Sequence, residues 1–260
     1  MIKKMWIGVF APVITMVLLS ACSVKEDRTS CPCLLTLDFS ETDTLNVPSV
    51  LIFLDNGTVS YEYALQAGEF MPDVTMNVPK SEISLNIHSG LEENYDLSKG
   101  IVIPYGEESP CLYSYCSALD TSGETAREVV EMRKNHCKLT MLFKNEELNP
   151  FSLCLKGNVA GYDLSGMPLE GAFSYEMPLA EDGGYKAVLP RQKDTSLLLE
   201  IDDGTDVLKR FALGEYLAGG GYDWTEENLE DVKVILDWSM TAVTLIVQGW
   251  DWVKEYEIVI

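Results

Sequence analysis

Residues 49–64 read Ser-Val-Leu-Ile-Phe-Leu-Asp-Asn-Gly-Thr-Val-Ser-Tyr-Glu-Tyr-Ala. Two runs rich in β-branched and aromatic residues, 49–55 and 58–64, flank the dipeptide Asn56-Gly57. Asn-Gly between two such runs is a strong hairpin signal, because a type I′ turn requires positive φ at both central residues. The stretch therefore predicts an antiparallel hairpin and indicates a β-rich fold.

Similar short runs recur along the chain. Leu35, Leu37 and Phe39 alternate with polar residues, and regular strands separated by Gly- and Asp-rich turns are typical of antiparallel sandwiches. One short helix is predicted from Thr225, whose hydroxyl would cap it. Further strands are predicted at residues 82–88, 101–104, 127–132, 138–143, 152–156, 185–189, 196–201, 206–212, 233–237, 242–248 and 250–259.

The length of the chain suits two domains of similar size. A local basic break at Arg133-Lys134-Asn135-His136 interrupts an acidic sequence, and a fresh strand follows it. We therefore predict an all-β fold of two tandem antiparallel β-sandwiches, with an N-terminal domain over residues 22–135 and a C-terminal domain over 136–260. The alternative is one continuous sandwich with long insertions.

The N-terminus carries an export signal. Lys3 and Lys4 precede an uncharged apolar run over residues 6–19, and small residues then lead directly into Cys22. This order resembles the bacterial lipobox, and the run is shorter than the roughly 20 residues that a membrane-spanning helix needs. Residues 1–21 are therefore predicted to be a lipoprotein signal peptide, with Cys22 as the lipidated first residue of the mature chain.

The chain is strongly acidic, with a net charge of −22. Removal of residues 1–21, which carry two lysines and no acid, makes the mature chain more negative still. Nucleic-acid binding depends on Lys and Arg displacing counterions from phosphates, so no nucleic-acid partner is expected. A polybasic segment that would hold the chain to an anionic leaflet is also absent from the sequence.

Six cysteines remain once Cys22 is assigned to lipid: Cys31, Cys33, Cys111, Cys116, Cys137 and Cys154. An even number in an exported protein favours disulfides, although the sequence cannot choose among the pairings. A zinc site could combine the Cys-Pro-Cys motif with the next two cysteines, but these spacings differ from CxxC knuckles. Some of the six could also be buried free thiols.

The sequence contains no set of side chains that points to catalysis. His88 and His136 lack the HxH and HExxH spacings of metal sites. Alternation places His88 on the solvated face of its strand, and His136 lies in the basic break. The acids Asp202, Asp203 and Asp206 are interpreted as a turn. We therefore expect no enzymatic activity, no cofactor and no metal.

The last predicted strand is rich in aromatic residues. Alternation places Trp250, Trp252, Tyr256 and Ile258 on one face. Such a face is typical of a sandwich core, but exposed tryptophans could instead form a platform for sugars. A final apolar strand can also be given to another subunit by β-strand addition. These alternatives stay open in the sequence.

Residues 22–39 carry a resemblance to a known family. Cys22, the Asp27-Arg28 pair, Cys31-Pro32-Cys33 and the alternating strand that follows resemble the FimB-type fimbrial anchor lipoproteins of Bacteroidetes-like bacteria. Residues 136–140 and 235–238 are also similar to that family. Lys25, Glu26 and Asp27 resemble the acidic export signal that sends such lipoproteins to the outer face of the outer membrane.

The resemblance implies two transthyretin-like β-sandwich domains, lipid on Cys22 and a role in anchoring a fimbrium at the outer membrane. In related pilins the first strand is removed by proteolysis, and a strand from a partner fills the vacated groove. An anchor that keeps its first strand, here residues 35–39, ends growth and so limits length. The C-terminal strand would be a possible donor to a pilin subunit. The alternative function is a surface glycan-binding lipoprotein that uses exposed tryptophans such as Trp224, Trp250 or Trp252.

Overall fold

The structure, a computed structural model, describes residues 31–92, 95, 97, 100–144, 152–202, 207–237, 242–248 and 253–259. In the first half these residues form β1 (Cys33–Asp38), β2 (Ser49–Asp55), β3 (Ser60–Gln66), α1 (Ala67–Phe70), β4 (Asp73–Val78), β5 (Glu82–Ser89), β6 (Ile101–Val102), β7 (Tyr113–Asp120), β8 (Thr125–Val129) and β9 (Arg133–Lys134). In the second half they form β10 (His136–Lys144), β11 (Ser152–Tyr162), β12 (Pro168–Met177), β13 (Tyr185–Pro190), β14 (Leu198–Asp202), β15 (Val207–Phe211), α2 (Leu213–Gly219), β16 (Asp231–Asp237), β17 (Ala242–Gln248) and β18 (Val253–Val259). The predicted all-β sandwich fold is confirmed.

The first sandwich packs a three-stranded sheet against a five-stranded one. Their strand orders are β4-β1-β8 and β3-β2-β5-β7-β9. Alternation along the strands supplies one apolar side from each sheet, and these sides form a shared core. Its fully buried members include Leu35, Leu37, Leu54, Leu85 and Ile87.

The second sandwich repeats this arrangement. Its sheets have the orders β13-β10-β16-β17-β18 and β12-β11-β14-β15. Their core contains Leu139, Met141, Leu155, Leu199 and Val234, all at most 1% exposed. The first strand of each half lies between an antiparallel and a parallel neighbour, since β1 pairs with β4 and β8, and β10 with β13 and β16. Each otherwise antiparallel sandwich therefore contains one parallel pair.

One segment of the first half packs into the second core. Its side chains Leu97, Ile101, Ile103 and Leu112 are at most 3% exposed within that core, and β6 pairs with β11. This pairing needs a glycine at position 161, where φ is +153° and an added Cβ would overlap the carbonyl oxygen of Ile101. The two sandwiches are thus interlocked by residues that lie N-terminal to Asn135.

The predicted hairpin is present, with a longer turn than the Asn-Gly dipeptide suggested. β2 and β3 pair from Asp55 opposite Ser60, which leaves residues 56–59 as the loop. The Oδ1 of Asp55 accepts a hydrogen bond from the amide of Gly57 at 3.0 Å, and the Oδ1 of Asn56 accepts one from the amide of Val59 at 2.8 Å. These side-chain bonds satisfy the backbone of a four-residue turn.

The prediction of a helix that begins at Thr225 is wrong. Residues 224–228 form turns and bends. The backbone amide and hydroxyl of Thr225 both donate to the Oδ1 of Asp223, at 2.8 and 2.7 Å. This local Asx turn competes with the helical conformation.

Candidate functional site

The first strand lies at the centre of its sheet. Leu35, Leu37 and Phe39 are 0% exposed, whereas Leu34, on the opposite side of the strand, is 43% exposed. β1 has a backbone partner on each edge, and the amide of Phe39 continues the ladder by donating to the carbonyl of Pro72 at 2.8 Å. The chain therefore fills its own groove with its own first strand.

Polar contacts fasten the end of β1. The carboxylate of Asp38 accepts a hydrogen bond from the amide of Ser40 at 3.0 Å and one from the guanidinium of Arg127 at 2.6 Å. The bonds from Ser40, with the contribution of Arg127, lower the pKa of Asp38 to about 2. Arg127 belongs to β8, so this contact joins the two parallel strands of the sheet.

The predicted lipidation and export residues, Cys22, Lys25, Glu26 and Asp27, lie outside the described residues. The first described residue is Cys31, which is exposed and lies two residues before the start of β1. Within the part of the chain that is described, no helix combines the length and apolar character needed to cross a membrane.

The C-terminal strand is paired within the chain. β18 runs antiparallel to β17, with Tyr256 opposite Leu245 and Ile258 opposite Val243. For Tyr256 and Ile258 the structure describes this backbone register, while Trp250 and Trp252 lie outside the described residues. Among the described strands, β18 forms one edge of its sheet, and β13 forms the other. Its use as a donor strand stays a prediction.

Trp224 does not form an exposed platform. It is 6% exposed, and its ring meets that of Tyr222 edge-on with a centroid separation of 4.8 Å. Its carbonyl oxygen accepts a hydrogen bond from Arg191 at 2.6 Å. Sugar stacking on Trp224, as the glycan-binding alternative suggested, is therefore wrong.

The predicted exposure of His88 is also wrong, because the second sandwich covers the part of the outer face on which His88 lies. His88 lies in one cross-strand row with Leu51 and Ser114, and Leu51 packs into the second core. The imidazole is 0% exposed, and burial lowers its pKa to about 4. Alternation assigned the side of the strand correctly but could not show that a second sandwich covers it.

His136 is equally buried at the junction. Its Nδ1 lies 3.1 Å from the carbonyl oxygen of Leu112, and its ring meets that of Tyr113 edge-on at 5.2 Å. Burial lowers the pKa of His136 to about 4. Both histidines are therefore neutral packing residues of the interface between the sandwiches.

The expected disulfides are not confirmed, because the six described cysteines are free thiols in the structure. Four of them lie on four different sheets: Cys33 on β1, Cys116 on β7, Cys137 on β10 and Cys154 on β11. Complete burial raises the pKa of Cys137 to about 12. Among the described residues, no group of three or more His, Cys, Asp or Glu side chains could hold a metal ion.

A cleft of about 480 Å³ lies between the sandwiches. We call it the intersandwich cleft. One wall is the outer side of β2, β5 and β7, and the other comes from the turn between β11 and β12, the start of β12 and Gly100. Its lining residues are Phe53, Asp55, Ser84, Asn86, Gly100, Cys116, Asp163, Leu164, Ser165 and Leu169.

Comparison with known proteins finds neither a family model nor a curated protein that matches the sequence. Among solved structures, the chain is similar to a candidate polysaccharide-binding protein from Bacteroides thetaiotaomicron, with a TM-score of 0.64 and 13% identity, covering 86% of this chain and 98% of that chain. For the fimbrial anchor protein Mfa2 from Porphyromonas gingivalis, the TM-score is 0.59 and the identity 11%, covering 88% of this chain and 99% of that chain. A candidate adhesin from Bacteroides ovatus gives a TM-score of 0.57 and 11% identity, covering 87% and 96%.

These matches span nearly the whole of each solved chain, so the likeness extends over both sandwiches. Identities this low establish the fold, whereas function depends on particular sites. The resemblance carried by residues 22–39 is thereby confirmed at the level of fold, and the chain has the two-sandwich architecture of a Bacteroidetes fimbrial anchor protein.

Proposed function

We propose that the protein is a non-enzymatic surface lipoprotein that anchors a fimbrium at the outer membrane and limits its length. The observation that carries the proposal is the central position of β1, with Leu35, Leu37 and Phe39 fully buried. The shared fold with the fimbrial anchor protein Mfa2 supports it. Adhesin and fimbrial neighbours also support a role without catalysis.

A filled groove explains how growth would end. Burying each large apolar side chain stabilises the folded state by about 1.5–3 kcal/mol. Displacing β1 would expose three such side chains and break its pairing with both β4 and β8. A strand from another subunit therefore has no vacant place in this sandwich, and the chain forms the end of an assembly.

The other end of the chain supplies a surface for a pilin subunit. Among the described strands, β18 has a paired edge toward β17 and no second neighbour in its sheet. An edge strand presents backbone donors and acceptors that an incoming strand can pair with. We place the contact with the fimbrial subunit at this edge, or on β18 itself as a donated strand.

The lipid on Cys22 would then transmit the attachment to the membrane. Cys22→Ala should leave both sandwiches folded and release the protein, together with its fimbria, into the medium. Cys31→Ala is the matched control, because Cys31 is also an N-terminal cysteine and is exposed. This second variant should remain in the membrane fraction.

The direct test is deletion of the gene, followed by electron microscopy of the cells. We expect fimbriae that are longer than normal and detach on mild shearing. Wild-type protein and the Cys31→Ala variant should restore both properties, and Cys22→Ala should not restore attachment. Fimbriae of normal length that stay firmly attached after deletion would rule out the anchoring role.

A further inference from the structure

The floor of the intersandwich cleft is a regular patch of the first sandwich. Phe53, Asn86 and Cys116 lie side by side on β2, β5 and β7, and Asp55 is paired with Ser84 one step further along. The second sandwich covers the neighbouring row of this sheet, which contains His88, whereas in the Phe53 row Cys116 is exposed and Phe53 is partly buried. An apolar ring and several polar groups are thereby presented together.

The opposite wall is held in place by its own hydrogen bonds. The Oδ1 of Asp163 accepts bonds from the amide of Ser165 at 2.8 Å, from its hydroxyl at 2.6 Å and from the amide of Met167 at 3.0 Å. This network fixes the turn that carries Leu164 above the floor. The cleft is therefore formed before any ligand arrives, which reduces the entropic cost of binding.

The polar groups of the cleft are suited to hydroxyl groups. Asn86 is 4% exposed and its amide nitrogen donates to the hydroxyl of Ser84 at 3.3 Å. Among the described residues, no donor is bonded to the amide oxygen of Asn86. Hydroxyls of a ligand can donate to this oxygen and to the carboxylate of Asp55, while the Ser84 hydroxyl can donate or accept.

The charge of the cleft selects against anions. Asp55 and Asp163 contribute two carboxylates, and neither Lys nor Arg is among the lining residues. A phosphate, sulfate or uronic acid would meet this field within an already acidic protein. Among the described residues, no three His, Cys, Asp or Glu side chains lie together in a group that could hold a metal ion. A neutral polar ligand fits the cleft best.

The apolar part of the cleft completes the match. Phe53 is partly buried, Leu169 is 39% exposed, and Leu164 lies beside them. A sugar ring has an apolar C–H face and a rim of hydroxyls, and an aromatic ring beside hydrogen-bonding groups accommodates both. We propose that the intersandwich cleft binds a neutral saccharide unit, at a volume typical of small-ligand sites. The inference does not depend on the anchoring role.

The test uses the mature Cys22→Ala chain and two tryptophan substitutions. Saturation-transfer NMR and calorimetry would probe methyl glycosides of glucose, galactose, mannose and N-acetylglucosamine and their disaccharides, with methyl glucuronide as the anionic comparison. Cys116→Trp fills the cleft from an exposed position on its floor. Cys31→Trp is the matched control, because it adds the same ring at an exposed cysteine that does not line the cleft.

We expect at least one neutral glycoside to bind with a Kd of about 1 mM or tighter. Cys116→Trp should weaken that binding at least about tenfold, and Cys31→Trp should leave it unchanged. The bound sugar should also slow alkylation of Cys116 by N-ethylmaleimide, with Cys31 as the internal reference. Absence of binding by every neutral glycoside, equal binding of the glucuronide, or binding that survives Cys116→Trp would each overturn the proposal.

Discussion

Arg191 donates from its Nε to the Oδ1 of Asn135 at 2.9 Å, in the middle of the basic break between the two halves. Its Nη1 donates to the carbonyls of Trp224 and Glu226, both at 2.6 Å, in a loop that has no regular structure. Its Nη2 donates to the carbonyl of Glu227 in the same loop at 3.1 Å and to that of Lys134 in β9 at 3.2 Å. The backbone amide of Arg191 also donates to the hydroxyl of Tyr162 at 2.9 Å. The side chain of Arg191 thus provides the backbone carbonyls here with the hydrogen bonds that a neighbouring strand would otherwise provide.

Arg191→Lys should therefore be strongly destabilising, although it keeps the charge. An ammonium cannot reproduce a planar fork of donors, so several carbonyls of the 224–227 loop would lose their partners. We expect the free energy of unfolding in urea to fall by about 3 kcal/mol. The matched control is Arg127→Lys, because Arg127 is 59% exposed in its ion pair with Asp38. A loss above about 1 kcal/mol in the control would contradict this account.

Gly161→Ala tests the interlock between the sandwiches. The backbone at this position has φ +153° and passes so close to Ile101 that a Cβ would overlap its carbonyl oxygen. β6 would have to leave β11, and we expect a loss of more than about 3 kcal/mol, measured by urea unfolding. Gly183→Ala is the comparison, since Gly183 has φ +79° but open space around it. That variant should cost only about 1–2 kcal/mol, and equal losses would mean that the crossing is not tight.

Alanine substitutions at the adjacent residues Leu35 and Leu34 test whether β1 is buried in its groove. Leu35→Ala would leave a cavity in the first core, and we expect the free energy of unfolding to fall by about 2–5 kcal/mol. Leu34→Ala removes the same atoms from a side chain that is 43% exposed, so its effect should stay within about 0.5 kcal/mol. Equal effects in thermal or urea unfolding would show that β1 is not held in its groove.

The hairpin of β2 and β3 was predictable because its information is local. Hydrophobic alternation sets the strands, and the polar residues Asp55 and Asn56 close the turn with their own side chains. Four of the described strands, β4, β7, β9 and β12, escaped prediction. Three of them offer a weak local pattern: β12 begins at Pro168 and contains Gly171, β7 has two adjacent buried residues, Tyr113 and Ser114, and β9 has only two residues. β4 alternates regularly, but it is short and directly follows Pro72.

Long-range packing could not be inferred from one strand at a time. Alternation gives two sides to β5 but does not show that the second sandwich covers part of the outer side, and so His88 was misplaced. The same limit applies to the intersandwich cleft, whose lining brings together residues as far apart in the sequence as Cys116 and Asp163. Exported location favoured disulfides, but which cysteines come close enough to bond depends on the whole fold, and the six described cysteines are free thiols.

Alkylation can test whether the six cysteines are free thiols, because their side chains differ in solvent exposure. N-ethylmaleimide applied to the native Cys22→Ala chain should modify Cys31 and Cys116, which are exposed, and spare Cys33 and Cys137, which are 0% exposed. Burial also raises the pKa of Cys137 to about 12, so its reactive thiolate is scarce at neutral pH. In denaturant without a reductant, mass spectrometry should find all six cysteines modified. A pair that stays unmodified there would reveal a disulfide and contradict the structure.

Mild acid should weaken the fold through the two buried histidines. At pH values well above the ordinary histidine pKa of 6.5, His88 and His136 are neutral in both the folded and the unfolded state and add no pH dependence. As the pH falls from 6.5 toward 4, the unfolded chain takes up protons that the folded chain does not, because the folded pKa of each is about 4. The free energy of unfolding should therefore decrease across this window, by at most roughly 3 kcal/mol for each histidine.

The upper part of this window, above about pH 5, separates the histidine effect from that of the carboxylates, because Glu200, with a folded pKa lowered by its bonds to Lys156 and Arg210, has an ordinary pKa of 4.5. Asp38, whose folded pKa is about 2, contributes stability that is fully present above its ordinary pKa of 3.8 and is lost only as the pH falls below it. Urea unfolding of His88→Leu and His136→Leu between about pH 7 and about pH 5, where the unfolded histidines take up most of their protons, should show about half of the wild-type slope in each variant. The slope is the relevant quantity, because either substitution can also change the absolute stability by repacking. If both variants kept the wild-type slope of unfolding free energy against pH, groups other than these two histidines would be taking up the protons. The junction between the sandwiches would then not hold these imidazoles neutral.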